Sequence, residues 1–211
     1  MFQPSYFKQT GTQQMFRFIQ EYPLATLVSA SSNGLVGNHI PMLVVERDGA
    51  YFLQGHVAQA NGLWQDVDSS TDVLAIFHGP DAYISPSWYP TKKTDPKTVP
   101  TWNYVAVHVT GQIKFFHDKV WLKQHLKNLS DAHEKRVNES WQLSDAPVDY
   151  INKMLKAIVG VEIVITDIKG NTKMSQNQSQ ANREGVVAGL SALGETEAAN
   201  WVENPNPIIS E

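Results

Sequence analysis

The sequence predicts an α+β, mainly β chain in which antiparallel hairpins close as a barrel or a sandwich with helices on its flanks. Three observations point there. Short apolar runs recur with turn residues between them, and the elements read as helix, three strands, helix, three more strands, then helices. A length of 211 residues also suits one domain of this class, or one domain with a small appendage.

Each element has its own signal. Between Thr12 and Tyr22 the apolar residues Met15, Phe16, Phe18 and Ile19 make one helical face, with Thr12 as the expected N-cap and Pro23 as the stop. Leu24–Ala30 is a β-like run, Asn33-Gly34 is a tight-turn dipeptide, and Leu35–Val45 is the returning strand. A third strand starts at Ala50 and ends at Gly55-His56, and Val57–Asp66 reads as a short helix. Val73–Phe77 suits a central strand. Thr101–Phe116 alternates in its middle, with Val105, Val107 and Val109 on one face and Ala106, His108 and Thr110 on the other, the pattern of a half-buried strand. Asp118 is the expected cap of the helix that follows, residues 130–146 read as irregular, and Pro147–Lys156 reads as a helix with proline at its start. Ile158–Ile168 is the last strand, with Glu162 facing away from Val161 and Ile163. Two short helices, Asn182–Leu193 and Glu195–Val202, precede an extended Asn-Pro-Asn-Pro tail.

Composition narrows the function. With 42% hydrophobic and 18% charged residues the chain is an ordinary globule, and its net charge of −4 gives no long-range attraction for nucleic acid or anionic lipid. The absence of cysteine excludes disulfides, thiolate nucleophiles and cysteine metal sites. Neither a signal-peptide pattern nor a run of membrane-spanning length is present, so the expected location is the cytoplasm. Seven histidines fall without metal-ligand spacing, and no phosphate-cradling glycine loop or nucleophile elbow occurs. No metal site and no catalytic residue is predicted.

Two places stand out as candidate sites. Phe77–Gly111 combines strand-like ends with a proline-stiffened, aromatic loop, suited to a planar ligand, to a buried interface, or simply to packing on its own core. Gly55–Asn61 reads as a strand-to-helix junction, where unpaired amides favour an anion, although an ordinary crossover has the same pattern. Within the returning strand, His39-Ile-Pro41 removes a ladder donor and implies an edge or a ligand contact. Lys92, Lys93 and Lys97 form a basic loop cluster that either meets a phosphate or stays solvated.

Long motifs carry a resemblance. Gly79-Pro-Asp-Ala-Tyr-Ile-Ser-Pro-Ser-Trp-Tyr89, Val99-Pro-Thr-Trp-Asn-Tyr104, Val107-His108 and Gly55-His-Val-Ala-Gln-Ala-Asn61 stand in order, with His39-Ile-Pro41, Ile158-Val-Gly160 and Lys173-Met-Ser-Gln-Asn177. In these the chain resembles the PaiB family of FMN-binding negative transcriptional regulators. The resemblance implies a six- to seven-stranded split β-barrel of the pyridoxine-phosphate-oxidase type, spanning residues 1–170, with a helical extension over 171–211 packed on the barrel or a dimer partner. It further implies a homodimer with FMN at the subunit interface and a DNA partner, although no helix-turn-helix with a basic recognition helix is apparent. The implied flavin contacts are His39, Ile40, Pro41, Met42, Gly55, His56, Gln59 and Asn61, with Trp88, Lys92, Trp102 and Asn103 from the aromatic stretch. One departure is Gln59, where the family usually has arginine. A missing guanidinium removes charge-assisted bonds of about 1.5–3 kcal/mol each, so flavin affinity is expected to fall by about tenfold or more, with Lys92 or Lys93 the candidate replacement charge. Beside the regulator stand two other readings: a flavin-dependent oxidoreductase or haem-handling relative, and an interaction module without flavin.

Overall fold

The computed structural model describes residues 1–31, 34–67 and 71–205. Its strands are β1 (Lys8–Gln9), β2 (Leu24–Ser31), β3 (Gly34–Pro41), β4 (Leu43–Arg47), β5 (Ala50–Ala58), β6 (Asp72–Ile84), β7 (Thr101–Phe116) and β8 (Ile158–Lys173). Its helices are α1 (Thr12–Glu21), α2 (Leu63–Asp66), α3 (Lys119–Arg136), α4 (Val148–Leu155), α5 (Gln180–Ala192) and α6 (Thr196–Glu203). The strands follow the order β3-β2-β6-β7-β8-β5-β4, with β1 paired to β8. The chain divides into two compact units. A terminal unit holds Met1–Tyr22, Phe77–His108 and the chain from Ile168, and a central unit holds Pro23–Ile76 and Val109–Asp167.

In the central unit one stretch supplies both ends of the sheet path. The expected single strand Leu35–Val45 breaks at Met42, so β3 pairs antiparallel with β2 while β4 pairs antiparallel with β5. The physical reason is local: Pro41 has no amide for a ladder, and Met42 is fully buried with its own amide donating to the Pro23 carbonyl at 2.9 Å. The two outer strands are thus joined through one corner residue. This break and the two-residue β1 explain why eight strands occur where six to seven were expected. The Asn33 half of the expected Asn33-Gly34 turn lies outside the described residues, as does the tail from Asn206; Gly34 has the positive φ, 106°, that the turn needs.

Strand β5 pairs antiparallel with β8 from Phe52↔Val164 to Ala58↔Ile158. Pairing with β8 therefore holds Val57 and Ala58 extended, and the helix expected from Val57 shrinks to the four residues of α2. The core of this unit is built by Ala25, Leu27, Ile40, Met42, Leu53, Val109, Ile113 and Ile163, each at most 2% exposed. Asp118 caps α3 as its sequence position predicts, accepting from the Trp121 amide at 2.8 Å, but α3 runs on to Arg136 into the segment expected to be irregular.

In the terminal unit α1 buries Met15, Phe16, Phe18 and Ile19, the face read from their spacing. Its N-cap is Gly11, without a side-chain cap, rather than Thr12. Tyr22, in the residue after α1, donates to Glu197 of α6 at 2.5 Å, and burial with that bond raises its pKa. Helices α5 and α6 are joined by Arg183, which donates to the Val202 carbonyl at 2.7 Å and so satisfies an orphan acceptor at a helix end.

Candidate functional site

The β3–β4 corner of the central unit gathers several of the candidate residues into a cradle. Alternation along β3 points Ile40 into the core and leaves His39 and Pro41 exposed, with Asn38 half-buried. Thr26 on the paired strand lies 3.2 Å from His39 Nδ1 through its hydroxyl. Across the cradle, Asn61 Nδ2 donates to Asn38 Oδ1 at 2.8 Å, and Asn61 Oδ1 accepts from the Leu63 amide at 2.9 Å. Gly55 closes the corner: a Cβ there would sit 2.8 Å from Ile40 Cγ2 and 3.1 Å from the Pro41 carbonyl oxygen. Gln59 is half-buried, and its carbonyl accepts from Trp64 Nε1 at 3.0 Å.

Two features decide what this cradle can hold. Asn38 Nδ2 is buried with no partner among the described residues, a donor whose desolvation costs about 1–3 kcal/mol unless a ligand acceptor satisfies it. The anion site expected at the Gly55–Asn61 junction lacks its main physical source, because α2 has too few aligned peptides for a useful macrodipole. The donors on hand are amides and imidazole, all neutral or weakly basic. Such a set fits the hydroxyl and phosphate oxygens of a flavin tail through hydrogen bonds.

His56 stands at a different kind of place. Its Nδ1 lies 3.1 Å from Nε2 of His125, which is 1% exposed. The His125 ring stacks on Trp121 at 5.3 Å, and Trp121 stacks on Phe116 at 4.5 Å with planes 5° apart. Gly160, opposite His56 in the β5–β8 register, makes room for this column, since a Cβ there would lie 2.2 Å from Trp121 Cζ3. Burial lowers the pKa of both imidazoles, that of His125 to about 4 with His56 adding to the effect, so the pair is neutral near pH 7. His125 Nδ1 has no partner among the described residues. Sequence reading found His56 but not His125, which reads as one more apolar-face position of a helix.

The remaining candidates belong to the terminal unit. Trp88 lies across Gly185 and Gly189 of α5, which a Cβ at either position would prevent. Asn103 is 1% exposed and donates to Ser175 Oγ at 2.9 Å. Trp102 is 55% exposed and meets Tyr83 edge-on, with ring centroids 6.1 Å apart. Lys92 is exposed in a short 3-10 turn after Tyr89. His108 is half-buried, and burial lowers its pKa. Among the described residues no group of three or more His, Asp or Glu side chains is arranged to hold a metal ion. No helix among them is long and apolar enough to cross a membrane.

Comparison with known proteins adds relatives to this geometry. The model of the family described as "Putative FMN-binding domain" matches residues 1–167. "Protease synthase and sporulation protein PAI 2" of Bacillus subtilis is 33% identical over 190 residues, spanning 90% of this chain and 89% of that protein. An uncharacterised protein of Emericella nidulans is 33% identical over 224 residues, spanning 89% of each. Among solved structures, an FAD and heme binding protein from Mycobacterium smegmatis superposes with a TM-score of 0.58 at 14% identity, over 86% of this chain and 80% of that one. The flavocytochrome Anf3 from Azotobacter vinelandii gives 0.57 at 14% identity, over 79% and 69%. These superpositions show the fold, a mostly antiparallel split barrel with flanking helices.

Proposed function

The chain belongs to the family described as "Putative FMN-binding domain", and from that premise we propose that it is a homodimeric flavin-binding regulator with no turnover of its own. FMN is the cofactor, and it supplies redox chemistry when bound. The residues of the chain hold and orient it: Asn38, His39 and Asn61 offer hydrogen bonds at the β3–β4 corner, Gln59 offers its amide, and Gly55 lets the corner close. The observation that carries this assignment is the Asn38 Nδ2 of that cradle, buried and without a partner among the described residues.

Titration of the purified chain with FMN, followed by absorbance and by quenching of flavin fluorescence, tests it. Saturable binding is expected, weakened about tenfold in Asn38→Ala and tightened about tenfold in Gln59→Arg, which adds a charge-assisted bond to the phosphate. Absence of binding at high micromolar FMN would leave the interaction-module reading in its place.

The dimer is assigned to the exposed aromatic Trp102, since large exposed aromatics are the common anchors of interfaces. Trp102→Ala is expected to shift the molecule to monomer in sedimentation. Regulation by direct operator contact has no electrostatic support at a net charge of −4. A gel shift in moderate salt is therefore expected to stay negative at micromolar protein, and a shift that survives salt would replace indirect regulation with direct DNA binding.

A further inference from the structure

The terminal unit contains a polar cavity of about 430 Å3 that the flavin assignment does not use. It lies between the loop before β7 and the end of β8, and its walls include Thr98, Thr101, Asn103, Lys173, Ser175 and Asn182. The walls are stiff. Asn103 and Ser175 are bonded to each other, and Asn182 Oδ1 accepts from the Thr91 hydroxyl at 2.9 Å.

Lys173 gives the cavity its character. The side chain is half-buried, its ammonium donates to Thr101 Oγ1, and among the described residues no carboxylate lies within ion-pair distance of it. Asp95, the acidic residue in the wall, accepts instead from the Lys97 amide of its own loop at 3.1 Å. An ammonium partly withdrawn from water without a counter-charge is destabilising unless something supplies that charge.

Two further features sit at the same place. The Thr98 hydroxyl is buried in the wall with no hydrogen-bond partner among the described residues. Ser175 holds a φ of 60°, in the left-handed region, just before Asn177 and Gln178 line the cavity. Strain of about 1–3 kcal/mol in a non-glycine residue persists where the surroundings enforce it, and such residues gather at ligand clamps. Burial also lowers the pKa of Lys173, in keeping with a cation that lacks its partner.

We propose that this cavity is a second binding site, for a small metabolite bearing an oxyanion, carboxylate or phosphate monoester, with Lys173 as its counter-charge and Thr98 as a donor. A volume near the lower end of the range of about 300–1,000 Å3 usual for small-molecule sites suits such a ligand. The proposal goes beyond the flavin reading and does not rest on it.

The test is a pair of amide-resolved NMR titrations of the full chain, with inorganic phosphate and with acetate, at constant ionic strength and both with and without FMN. Saturable shifts confined to Thr98, Thr101, Lys173, Ser175 and their neighbours are expected, and the tighter of the two probes identifies the class of oxyanion. Lys173→Met is expected to weaken binding at least tenfold and Lys173→Arg to retain most of it. Thr98→Val, which changes one hydroxyl and little volume, is expected to weaken binding severalfold even if the Lys173 variants fold poorly. Non-saturating shifts spread over exposed lysines such as Lys92, Lys93 and Lys119 would overturn the proposal. So would unchanged binding in the folded variants, or displacement of phosphate by FMN, which would return the cavity to the flavin.

Discussion

Strands β5 and β8 carry two polar clusters on one face, and they treat ionisable groups in opposite ways. At Gln54↔Glu162 the answer is pairing: Glu162 is 3% exposed, yet it accepts from Arg47 Nη2 at 3.0 Å and from Gln54 Nε2 at 2.8 Å. Arg47, itself half exposed, also lies 4.1 Å over the Phe52 ring, and the bond to Glu162 raises its pKa. At His56↔Gly160 the answer is neutralisation, with a pair of imidazoles against a column of rings. The two positions share a sheet and a face. What differs is the neighbour that arrives: a guanidinium from the β4 end in one case, an indole from α3 in the other.

The largest effect is expected from breaking the charged cluster on its exposed side. Arg47→Ala leaves Glu162 with Gln54 alone, and should destabilise the fold by about 3 kcal/mol, read as a lower denaturant midpoint at pH 7. A loss below about 1 kcal/mol would mean that the pair behaves as a surface salt bridge despite the burial of Glu162.

Crowding the neutral cluster should cost somewhat less. Gly160→Ala drives a methyl into Trp121 and is expected to destabilise by about 2 kcal/mol through displaced packing. Loss of the stacked-ring signal in near-ultraviolet circular dichroism would accompany it. An unchanged spectrum would show that the column does not depend on Gly160.

The smallest effect sharpens the contrast by pH. His125 has its folded pKa depressed to about 4 from the ordinary 6.5, so the unfolded chain binds the proton more readily between those values. Stability should therefore fall as pH drops from about 6.5 toward 4, by no more than about 1.4 kcal/mol per pH unit for one group. In His125→Phe that component of the slope should vanish. If wild type and variant share one slope between pH 7 and 4.5, the neutral pair is not the source.

Much of the fold was legible because its signals are local. The α1 face and the Asp118 cap each rest on neighbours in the chain, and each appears where the residues predicted; β7 is a strand as its alternation predicted, but Ala106 on its second face is buried too. The errors share a cause too. Val57 and Ala58 were read as helix because the partner that extends them, β8, is remote in sequence. The spacing puts Glu162 on the face opposite Val161 and Ile163, but it does not report the burial of that carboxylate beside Arg47, 115 positions away. The cradle was half legible: His39, Gln59 and Asn61 follow from motif and resemblance, whereas Asn38 is singled out only by a bond to Asn61 and a donor left over. His125 and Lys173 gain their character from burial, which no spacing rule reports.

The pairing of β5 with β8 also bears on how the molecule assembles. Gln54 waits for a partner 108 residues downstream, while β2, β3, β4 and β5 can zip through short turns soon after they are made. Long-range closure is the slow entropic step of such topologies. During synthesis the amino-terminal hairpins therefore stand with one apolar flank open until Ile158–Lys173 emerges. Holding that interval short, or shielding it, is the task that this chain sets for the cell that makes it.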